Sequence, residues 1–335
     1  MNPVTGYAAV SPSSPGAISG LSWSGDASSP IRSVADAYEA LRDPKARIWI
    51  DAQDASTQDL TQLADCLGLH PLIIEDIVER NQRAKVEFVG DTLHLVMFAL
   101  TYGDEVERVE IDMVLGKRFL LTSHPPGWEP SASSDIRRLG AEHFLSQGTD
   151  FMLYAVVDPL VDGYFPVLDS LGDSIDVLED EVVRHANMDV VERLFKARRE
   201  LLQVRHTVTP EREVFNQLTN REVGLIAPDR IIYFRDVYDH LIRITDELDT
   251  YRELVAGAIE TYLSTVNNNL YEIMKRLTAI TAILAGVGAA AGIFGMSEAA
   301  TAFQFKEGGG FWLVTALCVA FGVVVFAYFR KIHWI

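Results

Sequence analysis

Two stretches near the C-terminus carry no charge: residues 277–296, LTAITAILAGVGAAAGIFGM, and residues 311–329, FWLVTALCVAFGVVVFAYF. Each is close to the ~20 residues that a helix needs to cross the hydrocarbon core of a bilayer. Only the short loop 297–310 separates them. A soluble core can absorb one such helix, but two in succession read as a membrane hairpin. Lys275 and Arg276 precede the first run, Arg330 and Lys331 follow the second, and the loop between holds only Lys306. The positive-inside bias therefore places both flanks in the cytoplasm of a multi-pass cell-membrane protein.

Residues 1–30 contain neither a basic n-region nor an apolar h-region, so the large N-terminal part is expected to stay in the cytosol. They are rich in Ser, Gly, Pro and Ala and are expected to form a disordered tail, because such a composition buries little apolar surface. Cys66 and Cys318 are the only cysteines, which supports neither a disulfide framework nor a cysteine metal cluster. With 47 acidic against 29 basic side chains the formal charge is -18. That charge repels nucleic acid and favours cations as partners.

Between residues 31 and 150, Val/Ile/Phe/Leu-rich runs broken by Gly-Asp and Gly-Lys turns alternate with helical segments, which predicts a cytoplasmic α/β domain. Residues 151–228 read as a helical region, with amphipathic segments at 164–185 and 188–206. Pro228 suits the first turn of a further helix, where its missing N–H costs nothing.

From there apolar residues recur at 237, 241, 244, 248, 251, 255, 259, 262, 266, 270, 273 and 277. Spacings of three and four predict one continuous stripe on a stalk helix over 229–276 that runs into the first transmembrane helix, 277–296. An unbroken helix over 229–296 would be roughly 100 Å long at about 1.5 Å per residue. It cannot hide its stripe alone and needs either the preceding helices or copies of itself. The loop 297–310, the second transmembrane helix 311–329 and a basic cytoplasmic tail 330–335 complete the chain. A single hairpin encloses no pore, so transport requires a homo-oligomer in the lipid bilayer.

No P-loop lysine motif, H-E-x-x-H or G-x-S-x-G is present and the eight histidines are scattered, so an enzyme is not indicated and no organic cofactor is expected. GVGAAAG at 286–292 lies within an apolar span with no strand before it, which excludes a dinucleotide loop. Its Gly288 and Gly292 make a G-x-x-x-G that allows close helix packing in lipid. Asp236 and His240 stand one helical turn apart; a metal pair and a solvated helix face both fit, the solvated face being simpler. The acidic series Asp169, Asp173, Asp176, Glu179, Asp180 and Glu181 suits loose concentration of cations.

YFRDVYDHL, YLSTVNNNLYEIMKRLT, GIFGM, a second span and a terminal RKIHWI follow in that order, and GLHPLIIEDIVERNQRAKVEF stands at 68–88. Together, over residues 45–335, they resemble the CorA family of divalent-cation channels. The resemblance implies an α/β cytoplasmic domain, a long stalk helix and two C-terminal transmembrane helices in a funnel-shaped homopentamer. It implies passive influx of Mg²⁺, with Co²⁺ possible, lined by the first span and gated by intracellular Mg²⁺. Gly295, Met296 and Ser297 align with the family's Gly-Met-Asn pore-entrance signature, with serine in the third position. A hydroxyl is shorter than the amide and offers a different donor and acceptor set.

Tyr271 stands where the family often has a second pore asparagine, and Met274 and Leu277 match an apolar constriction that can close by dewetting. Asp76 and Asp236 match the positions where the family places regulatory Mg²⁺ between subunits. The loop SEAATAFQFKEGGG lacks the family's Met-Pro-Glu-Leu segment. These departures leave open a Zn²⁺ or other cation transporter of the same fold, or a non-conducting membrane-tethered metal sensor or scaffold.

Overall fold

The computed structural model describes residues 17–25, 27–130, 134–184, 187–221, 223–295, 309–332 and 334. Seven strands form one mixed sheet in the order β2-β1-β3-β7-β6-β5-β4. They are β1 (Ala17–Ser24), β2 (Ala27–Ile31), β3 (Arg47–Gln53), β4 (Lys85–Val89), β5 (Thr92–Tyr102), β6 (Val106–Leu115) and β7 (Phe119–His124). Only β3 and β7 pair in parallel, with Ile48 opposite Phe119 through Gln53 opposite His124. The Gly-Asp turn expected between strands is the β4–β5 hairpin, where Val89 pairs with Thr92 and Gly90 takes φ +61°.

Three helices, α1 (Val34–Leu41), α2 (Thr57–Leu67) and α3 (Pro71–Glu79), cover one face. Their ends follow from local chemistry. Ser33 and Ser56 accept the N–H groups of Asp36 and Asp59 as N-caps, Gly68 closes α2 with φ +69°, and Pro71 opens α3. Under them Ile48, Ile50, Leu60, Leu63, Ile73, Ile77, Val114 and Leu121 form a buried cluster. β5 is buried from Thr92 to Leu100, as expected of a strand covered on both sides.

Two expectations need correction. Of the tail expected over 1–30, residues 1–16 and 26 lie outside the described residues, and the rest is not disordered: β1 and β2 pair with each other, and β1 pairs with β3 from Ala17 to Trp23. Composition misled because the segment is fixed mainly by backbone pairing. A few contacts add to it: Ile18 packs on the core cluster, Arg47 sits over the Trp23 ring, and Gly20 meets the Trp49 backbone where no side chain would fit. Pro30 is tolerated because β2 is an edge strand.

Nor does the chain divide near residue 150. One compact unit takes in the described residues up to Glu179 together with Glu192–Ala256; the second takes in Asp180–Val191 and Gly257–Ile335. The first unit holds together because helices α4 (Ser134–Leu139), α5 (Ala141–Gln147), α6 (Thr149–Asp162), most of α7 (Tyr164–Arg184) and most of α8 (Met188–Asn220) belong with the sheet. Beyond the last β4–β5 pair, Lys85 with Val96, the backbone of Phe98 turns to side chains instead. Its N–H donates to Glu211 Oε1 of α8 at 2.9 Å, and its carbonyl meets the Tyr164 hydroxyl of α7. That hydroxyl also lies 3.0 and 2.9 Å from the two Glu211 oxygens. Burial pushes the Glu211 carboxyl up to about 8, against the lowering effect of the Phe98 and Tyr164 hydrogen bonds.

Helix α9 runs Ile231–Gly295 and α10 runs Gly309–Lys331. α9 begins after Pro228, which lies in the preceding turn closed by Arg230 N–H to Ala227 O at 2.8 Å. Within the first unit, Val237, Leu241, Ile244, Leu248 and Val255 of the stripe are buried. Within the second, Leu270, Ile273 and Leu277 of the same stripe are exposed.

Candidate cation sites

The expected pore segment lies on the exposed part of α9. Tyr271, Met274 and Leu277 are 69%, 63% and 63% exposed in the single chain, and steps of three residues along a helix keep them near one face. Ile280, Leu284 and Ile293 continue the exposed apolar surface. The long apolar stretch of α6, by contrast, is a buried core helix: Phe151, Met152, Leu153, Val156, Val157, Leu160 and Val161 are buried. A window of α9 is as apolar but only 6% buried.

A Cβ added at Gly288 or Gly292 would meet nothing within 4 Å. Packing of α9 on α10 instead uses Gly286, against the Phe321 ring, and Gly322, near Val287. The G-x-x-x-G face is therefore open to another chain or to lipid. Gly295 ends α9; Met296, Ser297 and the loop carboxylates Glu298 and Glu307 lie outside the described residues.

Asp236 and His240 do not form an isolated pair. Asp158 of α6 joins them, and one ligand atom from each of the three lies within 4.8 Å of the others. Asp162 Oδ1 approaches His240 Nδ1 to 3.0 Å. Burial is the main cause that pushes the Asp158 carboxyl up to about 6; Asp162 and Asp236 add to it and His240 opposes it. Crowded carboxylates of this kind are relieved by a cation. Aromatic contacts fix the frame: Tyr154 of α6 lies against Tyr233 and Phe234 of α9, and Phe165 of α7 meets the His240 ring edge-on. Sequence reading missed Asp158, because nothing local links an Asp on one helix to a pair far along the chain.

Asp76 sits on α3, part-buried, and belongs to a different group from Asp236. Lys85 Nζ lies 2.6 Å from its Oδ2 and Gln82 Nε2 donates to its Oδ1 at 3.1 Å. On α7, Asp169, Asp173, Asp176 and Asp180 of the acidic series are exposed. The field of Asp169 and Asp176 is felt by Tyr251 of α9, whose phenol is pushed up first by burial, then by Glu247 and by these two carboxylates. Gly172 brings α7 and α9 together there, since a Cβ on it would run into the Tyr251 hydroxyl.

Comparison with known proteins places these features. Residues 44–331 match the family model described as CorA-like Mg²⁺ transporter protein. The cobalt/magnesium transport protein CorA of Thermotoga maritima is 34% identical over 301 residues, 88% of this chain and 85% of that protein. Among solved structures, the complete CorA magnesium transporter of Methanocaldococcus jannaschii superposes with TM-score 0.78 at 22% identity, over 95% of this chain and 98% of that one. The full-length CmaX protein gives TM-score 0.72 at 17% identity, over 97% and 100%. The mixed sheet under its helices, the long α9 and the two apolar C-terminal helices are shared with that fold, and the chain belongs to the CorA-like Mg²⁺ transporter family.

Proposed function

We propose that the chain is a CorA-type channel for divalent cations, with Mg²⁺ the principal ion and Co²⁺ also carried, acting as a funnel-shaped homopentamer in the cell membrane. The observation that carries the reading is the exposed apolar part of α9, flanked by Lys275 and Arg276, in a chain of this family. One chain leaves that surface uncovered, and a ring of five covers it with neighbouring copies and lipid while enclosing a path. Tyr271, Met274 and Leu277 then line the path. Gly295, Met296 and Ser297 form its outer mouth, where oxygens grip an ion that keeps much of its water, as Mg²⁺ does. Both termini lie in the cytoplasm, and the family is one of transporters rather than enzymes.

In this reading intracellular Mg²⁺ closes the channel by bridging Asp76 of one subunit and Asp236 of the next. The ion favours whichever assembly binds it better. Asp158 supports Asp236 in that role. A second reading, transport of Zn²⁺ or a similar ion, draws on His240 in the Asp158–Asp236 group, since imidazole suits such metals.

The test is reconstitution into liposomes holding a Mg²⁺-sensitive dye. The expected result is Mg²⁺ influx through wild type, slowed by Mg²⁺ inside, with Asp236→Ala losing most of that slowing. Influx only after Ser297→Asn, or Zn²⁺ influx without Mg²⁺, would overturn Mg²⁺ as the principal ion.

A further inference from the structure

A second group of cation ligands lies on the sheet face beneath α3, apart from the pore and from the Asp158–Asp236–His240 cluster. Asp76 of α3, Glu87 of β4 and His94 of β5 each place one ligand atom within 4.8 Å of the others. The register explains the meeting: Glu87 and His94 are direct cross-strand partners, so their side chains share one face of the sheet.

His94 is what distinguishes this group from an ordinary acidic patch. It is fully buried, and its Nε2 lies 2.8 Å from Asp112 Oδ1 of β6, itself buried. A carboxylate accepts, so Nε2 carries the proton. Nδ1 is buried and without a hydrogen-bond partner, and in the neutral ring it is the lone-pair nitrogen. A buried polar atom left unpaired is destabilising, so its presence asks for an explanation. A histidine that donates one ring N–H to a carboxylate while the other nitrogen stays free is the arrangement that supports histidine ligands to metals.

The group is not without a cation. Lys85 Nζ lies 2.6 Å from Asp76 Oδ2 and 3.1 Å from Glu87 Oε2, so its single charge offsets only part of the charge of the two carboxylates. The ammonium spends donors on Asp76 and Glu87 and makes no hydrogen bond to His94, so Nδ1 remains unpaired. A metal ion would serve all three ligands at once.

We propose that Asp76, Glu87 and His94 form a binding site, within one chain, for a borderline divalent metal of the Zn²⁺, Co²⁺ and Ni²⁺ class, which Lys85 occupies as a resident cation and which the metal enters by displacing it. His94 Nδ1 is the nitrogen ligand, Asp112 holds its ring, and the imidazole selects against Mg²⁺, which takes oxygen ligands. Lys85 keeps the site weak until such a metal is abundant. The site stands on its own geometry, whether or not Asp76 also bridges subunits.

The experiment is a Co²⁺ titration of the full-length protein in detergent, followed by calorimetry and by visible absorption. All variants carry Asp236→Ala, which removes the other cluster and any bridge through it. Lys85→Met should add one Co²⁺ per chain at least about tenfold tighter than the parent, with absorption bands of a nitrogen-containing site. Glu87→Gln on top of Lys85→Met should abolish that gain; the Glu87 side chain is half-exposed, and its isosteric replacement should leave thermal unfolding unchanged. His94→Gln in the same background should remove the bands, and an anomalous peak between the three side chains in Co²⁺-soaked crystals would place the ion. Equal Co²⁺ affinity and stoichiometry with and without Lys85, or a gain indifferent to Glu87→Gln, would overturn the proposal. Failure here leaves Mg²⁺ conduction and its Asp236-dependent closure untouched, since those are read by flux.

Discussion

The two parts of α9 carry one apolar rhythm and meet opposite fates. Up to Ala256 the stripe is buried within the chain, with Val237, Leu241, Ile244 and Leu248 fully covered. Tyr154 and Phe165 lie against this part, Arg205 of α8 pairs with Asp249 at 2.6 Å, and Gly172 admits Tyr251. From Gly257 onward, Leu263, Leu270, Ile273, Leu277 and Leu284 are exposed. Periodicity therefore reports that a helix face needs cover and is silent about what supplies it. The first part is covered by its own chain, and the second is left exposed in the single chain, to be covered in the proposed pentamer by neighbouring subunits and lipid.

The largest separation between the parts should come from cavities. Leu241→Ala should destabilise the first unit by about 2–5 kcal/mol, whereas Leu284→Ala should leave its thermal or denaturant unfolding unchanged. Comparable losses at both positions would mean that the second part is also held by its own chain. Smaller, and opposite in kind, is the response of two glycines. Gly172→Ala forces a Cβ into Tyr251 and should cost about 1–3 kcal/mol. Gly288→Ala meets open space in the chain, so it should spare unfolding and alter oligomer stability in a detergent gel or light-scattering assay.

The smallest effect per step concerns pH. Glu211 has its carboxyl raised from 4.5 to about 8 by burial, so the folded state keeps a proton that the unfolded state loses. Its contribution is complete below about pH 4.5, declines as pH rises toward about 8, and is flat above. The slope is at most about 1.4 kcal/mol per pH unit. Glu211→Gln should remove that slope from the first unit's stability curve; an unchanged slope would mean the carboxyl is not the group responsible.

Much of this plan was legible because some signals are local. Charge-free length marked the two apolar C-terminal helices, three-and-four spacing marked α9, and Gly90-Asp91 marked a turn between strands. What stayed hidden depends on distant partners. β1 and β2 gain their order from pairing with β3, so a Ser-rich composition concealed them. Glu211 sits in a charge-rich helix and reads as surface until the fold sets it against Phe98 and Tyr164. Asp158 and His94 look unremarkable alone, and become candidate ligands only where α6 meets α9 and β5 meets β4. The Gly295-Met296-Ser297 motif, the plainest signal in the sequence, draws on resemblance to the family alone, because Met296 and Ser297 lie outside the described residues.

The central claim is that the exposed part of α9 lines a cation path. Its most direct test places a cysteine at Met274 or Leu277 in a variant lacking Cys66 and Cys318, reconstitutes the channel, and measures Mg²⁺ influx before and after a bulky cationic thiol reagent. The account predicts that modification at either position blocks influx, while the same reagent at Val319→Cys on α10 does not. Full labelling at Met274→Cys and Leu277→Cys with undiminished Mg²⁺ influx would contradict it.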